Sequence, residues 1–259
     1  MAQQTQVSRV AVYYRAWLKQ FPSFSALASA PAADVLRAWS GLGYNSRALR
    51  FHQLAQTVVQ QHRSRLPRDP EALQQLPGIG RYTAHALCSF AFGMHVPVVD
   101  VNIRRIITRW TKKVGTSSEV LPEKESWQLA EGLLPVCRSS DWNQALMDFG
   151  AMVCTARRPK CDVCPVASYC RSAHSRTFLT IQTKERKKEP VWRGIPRRLY
   201  RGKLLKLLHH HALTAEEAAS ALWSDAGAKD AEWTERLLDA MVRDGLLSRH
   251  GKRFRMTTV

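Results

Sequence analysis

An all-α fold is expected for this chain of 259 residues. Three features of residues 1–153 carry that expectation. Apolar residues recur at three- and four-residue steps, the spacing that lines one face of a helix. Strand-like alternation is scarce. Pro, Gly, Ser and Asp recur at short intervals, as they do between short helices.

The first run, MAQQTQVSRVAVYYRAWLKQF, places Val7, Val10, Tyr14, Trp17, Leu18 and Phe21 along one face and predicts a helix over 4–20. No capping residue or turn precedes it, so Met1 is expected to fall inside the element. Helices are then expected over 23–28, 32–40, 46–61, 70–75, 81–91, 101–110, 124–134 and 140–154. The basic, polar stretch SAHSRTFLTIQTKERKKEPVWRGIP reads as a linker. Beyond it, 198–211 and 231–243 read as helices, the second closed by Gly245. Between them Thr214 and Glu217 form a capping box ahead of an apolar helix. LLSRHGKRFRMTT alternates around a turn and predicts a hairpin. Three helices and a hairpin suggest a small winged-helix-like module at 196–259. A helical appendage with no groove-reading role is the alternative.

Hydrophobic residues make up 45% of the chain, ordinary for a folded protein, and the length allows two domains. No apolar run approaches the roughly 18 residues of a membrane span, and the parts of a signal peptide are missing. The net charge of +18 favours a polyanionic partner, because each cation set near a phosphate releases condensed counterions. The charges are interleaved with helical apolar periods, which suits folded faces better than a disordered tail. A nucleic acid is the expected partner, and a membrane is not.

Four of the six cysteines are clustered in CTARRPKCDVCPVASYC. Cys154, Cys161, Cys164 and Cys170 follow the spacing C-x6-C-x2-C-x5-C, and their thiolates can surround tetrahedral zinc or an iron–sulfur cube. Zinc knuckles tend to use two close pairs, whereas this array has one. Arg157, Arg158, Lys160 and Arg171 lie in or beside the loop and are expected to face phosphate. Cys88 and Cys137 fall outside the pattern and read as core residues.

In LPGIGRYTAHAL, residues 76–87, a helix stops at Pro77, Gly78 and Gly80 permit a tight turn, and a new helix begins near Arg81. Backbone amides converging on a helix start can bind a phosphate oxygen without side chains. This is the helix–hairpin–helix pattern of DNA-backbone binding. In VPVVDVNIRRI, Asp100 follows an apolar run and precedes a helix carrying Arg104 and Arg105. It reads as an N-cap and equally as a carboxylate at the mouth of a cleft; Asn102 is placed to steady it or to touch the DNA backbone. His85 reads as packed or phosphate-facing, and His209–His211 as a helix end.

LPGIGRYTA, VVDVNIRR and the four-cysteine loop, in that order, resemble the helix–hairpin–helix, iron–sulfur branch of the DNA base-excision glycosylases. MAQQTQV, WSGLGYNSRALR, WNQALMDFGAMVCTARRPKCDVCP and the Tyr of GRYTA are most similar to the A/G-specific adenine glycosylases, the MutY type. The resemblance covers about residues 1–172. It implies a two-lobed helical glycosylase body (1–153, with the hairpin at 76–87), a [4Fe–4S] cluster loop (154–172), a basic linker (173–195) and the C-terminal module (196–259). The implied substrate is double-stranded DNA with A:8-oxoG or A:G mispairs, acted on by a monomer in the cytoplasm at the nucleoid. The resemblance also implies residue roles. Asp100 stabilises the sugar cation and Tyr82 assists. Gln4 and Tyr44 enter the helix beside the lesion, while Gly78, Gly80, Arg81 and Asn102 hold DNA. The four cysteines ligate the cluster.

The related endonuclease III type carries a nucleophilic Lys where this chain has Tyr82, so no efficient strand cleavage is expected. Two alternatives stay open: a G·T/G·U mismatch glycosylase, and a catalytically impaired DNA-binding relative. In relatives, QQTQV follows a stretch like E-V-M-L whose Glu is the acid, a position that falls before Met1, so the natural protein is expected to start further upstream. Longer members end in a domain that inspects 8-oxoguanine. The tail here has the wrong pattern for that and is instead a candidate grip on duplex DNA.

Overall fold

The computed structural model describes residues 1, 7–112, 120–175, 189–209 and 211–257. The chain forms two compact units. One combines Met1–Leu66, Leu76–Gly78 and Lys187–Val259; the other holds Pro67–Gln75 and Ile79–Arg186.

The first unit opens with α1 (Val7–Gln20), α2 (Phe24–Ser29), α3 (Ala32–Trp39) and α4 (Ser46–Gln61). Ser23 starts α2 by accepting the Ala26 amide on its hydroxyl at 3.1 Å. Trp17 anchors the core, with Phe21, Trp39 and Phe51 around it at ring distances of 4.8, 5.5 and 5.8 Å. The apolar face of α1 is narrower than its sequence pattern: Val10, Trp17 and Phe21 are buried, whereas Tyr14 and Leu18 are exposed. Spacings of seven and four residues keep one thin stripe against a neighbour, and Tyr14 and Leu18 fall beside it.

The same unit holds β1 (Val191–Trp192), β2 (Ile195–Pro196), α10 (Arg197–Leu207), α11 (Ala215–Leu222), α12 (Ala228–Arg243), β3 (Leu247–His250) and β4 (Arg253–Met256). Helices α5–α9 belong to the other unit and are described below. β3 and β4 pair antiparallel, Leu247 opposite Met256 and His250 opposite Arg253, and Leu213 bridges to Phe254. The capping box is formed: Thr214 accepts the Glu217 amide, and Glu217 accepts the Thr214 amide at 2.8 Å. Tyr200, Leu237, Leu238, Met241 and Phe254 are fully buried, and they belong to one continuous apolar cluster with the side chains of α1–α4.

Residues 191–196, read from sequence as linker, form a hairpin turned at Arg193 and Gly194. Asp230 holds it in place, accepting from the Trp192 indole at 2.9 Å and from Arg193 at 2.7 and 2.9 Å. The Arg193 guanidinium, helped by the Gly227 amide, pulls the Asp230 carboxyl down to about 2.

The second unit contains α5 (Pro70–Gln74), α6 (Arg81–Ala86, continued as a π-helical turn over Leu87–Ala91), α7 (Val101–Thr111), α8 (Glu123–Gly132) and α9 (Ser139–Met152). Ile103, Ile106 and Ile107 on α7 are fully buried with Leu121, Trp127 and Leu146. Each such side chain contributes about 1.5–3 kcal/mol by leaving water, which fixes α7 firmly. Among the described residues no helix is long and apolar enough to cross a membrane.

Candidate active site

Asp100 sits where an extended segment enters α7. Its Oδ1 accepts the amides of Asn102 and Ile103 at 2.8 and 2.7 Å, and its Oδ2 accepts from the Asn102 side-chain amide at 2.8 Å. It is therefore an N-cap and a pre-ordered carboxylate at once. Asn143 of α9 fixes the approach. Buried, it donates to the Val96 carbonyl at 2.9 Å and the Ser89 hydroxyl at 3.0 Å, and its oxygen accepts the Val98 amide at 3.1 Å. Tyr82, on the first turn of α6, is half-buried. Burial first, and then the charge of Asp100, push its phenol above the ordinary value. It stays a neutral phenol through the physiological range.

Asn102 is itself held. Arg105 donates to its side-chain oxygen at 2.9 Å, and also to the carbonyls of Gly150 and Cys154, both at 2.8 Å. The second arginine of this helix pair also points to backbone, Arg104 donating to the Leu121 carbonyl at 2.7 Å. The arginines that follow Asp100 thus act as internal ties. Burial, then the neighbouring Arg109, lower the Arg105 pKa.

Gly150 lets α9 approach this group. A methyl there would stand 2.8 Å from the Asn102 Cβ and 3.2 Å from Ile106. In an open helix, glycine to alanine gains about 1 kcal/mol. Here Gly150→Ala is expected to destabilise by about 1–3 kcal/mol through overpacking and to slow the reaction by displacing Asn102. Chemical denaturation and single-turnover rates would check it. Unchanged stability and rate would show that α9 can move aside.

The four-cysteine loop leaves α9 and returns to the end of α7. Cys154, Cys161, Cys164 and Cys170 line one shared cavity together with Arg109. Among the described residues no three His, Cys, Asp or Glu side chains converge on a single-ion geometry. A cuboidal cluster takes one thiolate per iron, and four cysteines on one cavity supply that number. Arg109, buried, donates to the Thr155 carbonyl at 2.8 Å, the Ala156 carbonyl at 2.9 Å and the Cys154 sulfur at 3.3 Å. The Ser172 amide returns to the Arg109 carbonyl at 3.1 Å. Arg157, Arg158, Lys160 and Arg171 are exposed around the loop.

In the hairpin, Gly78 has φ +78°, which favours glycine, and α6 starts at Gly80 with no side chain capping its first amides. A Cβ on Gly80 would meet nothing within 4 Å, so its outer face is open. The Arg81 guanidinium lies over Trp127 at 4.1 Å. His85 packs at 4.5 Å from the same ring and bonds the Pro97 carbonyl at 2.9 Å, in keeping with a packed role. Tyr44 has φ +50° and a ring 64% exposed, with Arg47 5.4 Å from it. Gln4 lies outside the described residues, as does His210. Cys88 is buried as expected, but Cys137 is exposed in a positive-φ turn, because the chain reverses there between α8 and α9.

Sequence reading named Arg105 but not its inward bonds, and it missed Arg109, Asn143 and Gly150. The partners of these side chains lie 45 to 54 residues away in the chain, and of the three missed residues only Asn143 and Gly150 stood inside a stretch already singled out.

A glycine hairpin, a helix capped by Asp100 and a loop of four thiols define an iron–sulfur repair protein of the helix–hairpin–helix class. Residues 1–131 match the HhH-GPD superfamily of base excision DNA repair proteins, and residues 154–170 match the iron–sulfur binding domain of endonuclease III. The chain belongs to this superfamily and, within it, to the adenine DNA glycosylases. An adenine DNA glycosylase of Mycolicibacterium smegmatis is 39% identical over 95% of this chain and 81% of its own length. The human adenine DNA glycosylase is 45% identical over 66% of this chain, which spans only 32% of that protein. Among solved structures, a thermostable thymine-DNA glycosylase has a TM-score of 0.60 at 33% identity, covering 65% of this chain and 77% of that one. An endonuclease III–DNA complex has a TM-score of 0.58 at 22% identity over 66% of this chain and 79% of its own, a likeness of fold. The cofactor of the chain is a [4Fe–4S] cluster.

Proposed function

We propose that this chain excises adenine mispaired with 8-oxoguanine or guanine in duplex DNA, leaving an abasic site without nicking the strand. The observation that carries this reading is the Asp100 carboxylate, pre-ordered by three hydrogen bonds beside a neutral tyrosine, in a chain of this family. Rupture of the glycosidic bond develops positive charge on the deoxyribose. A carboxylate whose oxygens are already oriented stabilises that charge without reorganising. Water then completes the hydrolysis. Tyr82 packs beside the sugar and, as a phenol, forms no Schiff base, so the strand stays intact.

The adenine must leave the stack to be reached, and a mismatch lowers that cost. The amides behind Gly78, Gly80 and Arg81 take a backbone phosphate, and Asn102 steadies Asp100. Tyr44 and Gln4 contact the bases beside the lesion. Cys154, Cys161, Cys164 and Cys170 hold the cluster, which cross-links a loop presenting Arg157, Arg158, Lys160 and Arg171 to phosphate.

The test is a single-turnover assay on duplexes with A opposite 8-oxoguanine, A opposite G, and G·T and G·U controls. Alkali-dependent breaks at the adenine, and none without alkali, are expected. Release of thymine or uracil instead, or no base release, would overturn the proposal.

A further inference from the structure

The C-terminal module has two candidate faces for a polyanion, and their charges differ. α12, the third helix of the module, is the one a winged-helix reading would set in a groove, yet it carries four acids against three cations. Glu235 and Asp239 are spent on Arg249, and Asp230 on Arg193. α10 carries five cations and no acid. Arg197, Arg198, Arg201 and Arg243 line one cleft between α10 and the end of α12, together with Glu189 and Asp244. Arg198 is bonded to Glu189, and Arg201 to Asp244 at 2.6 Å, which leaves the cleft two arginine charges in excess.

Asp244 also lines the neighbouring groove, whose other wall is Arg50, His52 and Gln53 of α4. His52 is buried with its Nε2 unpartnered. Arg50 packs against the hairpin: a Cβ on Gly78 would stand 3.1 Å from its own. Within this unit the cleft and the groove beside α4 thus share Asp244.

We propose that the cleft between α10 and α12 binds a backbone phosphate of the duplex flank, so that the module grips DNA by its first helix and reads no bases. This rests on the DNA-repair reading above and names a contact outside the excised pair. Guanidinium groups match phosphate oxygens in bidentate geometry, and such contacts position a duplex without reading its sequence.

The experiment measures binding of the full chain and of R197A/R243A to two mispaired duplexes, one long and one trimmed to a few base pairs around the mispair. R197K/R243K is the control that keeps the charge. On the long duplex the slope of log affinity against log salt is expected to fall by about 1.8, so that the loss between 50 and 200 mM salt becomes about 12-fold smaller. The trimmed duplex should show no difference, and the lysine variant should keep most of the slope. An unchanged slope on the long duplex, or equal loss on both duplexes, would overturn the inference. Circular dichroism on each variant separates loss of contact from loss of fold, and a variant that unfolds is replaced by R197Q/R243Q with the same two readings. Adenine release by the unmutated chain is followed in the same samples. Its absence would end the excision reading while the slope difference still decides the cleft.

Discussion

Replacing Asp100 by asparagine is expected to lower single-turnover adenine release by about 10²–10³-fold, the scale seen when one pre-oriented electrostatic group is removed. Stability should change by less than about 1 kcal/mol, because asparagine is as good an N-cap as aspartate and still accepts the Asn102 and Ile103 amides. The variant therefore separates the two things this residue does. One oxygen still accepts the two helix amides, the bond from the Asn102 side-chain amide is lost, and so is the charge proposed to act on the sugar. Binding to a duplex with A opposite 8-oxoguanine should persist, since hairpin and loop contacts are untouched. A rate within tenfold of the unmutated chain would leave Asp100 as a helix cap alone and remove the centre of the proposed mechanism.

Arg109→Ala is expected to have the larger effect on the protein itself. The side chain is 4% exposed and fastens Thr155, Ala156 and the Cys154 sulfur to α7. Truncation takes this partner from the Thr155 and Ala156 carbonyls and a hydrogen bond from a cluster ligand, a loss on the order of 1–3 kcal/mol. Iron per chain should fall, and the denaturation midpoint with it. Arg109→Lys keeps the charge but cannot span those acceptors, so it should recover only part of the iron. Full iron content and an unshifted midpoint in Arg109→Ala would mean that the cysteines alone hold the loop.

These two residues bracket α7, and the bonds between them join two regions of the site. Asp100 is held by Asn102, Asn102 by Arg105, and Arg105 by the carbonyl of Cys154. The four-cysteine loop and the carboxylate proposed to face the sugar are therefore tied to one helix in one unit.

Much of this was legible in the amino-acid order. Local signals did the work wherever neighbours in sequence are also partners in space. The span 46–61 was read as a helix and is one, Ser23 and Thr214 cap the helices they precede, and Asp100 bonds amides two and three residues on. The glycines of the hairpin and the cysteine spacing are equally local, because turn geometry and metal ligation restrict residue type at short range. The inward turn of Arg104 and Arg105 was not legible: a basic pair after Asp100 looks the same whether it faces phosphate or buried carbonyls, and Gly150 and Cys154 choose from across the unit. Gly150 itself reads as a weak helix residue until Asn102 stands against it. Residues 191–196 read as linker because their partner, Asp230, lies some forty residues on. The division has one cause. A backbone's period, caps and turns depend on groups within a few residues, whereas the meaning of a charge or a missing side chain depends on what long-range packing brings beside it.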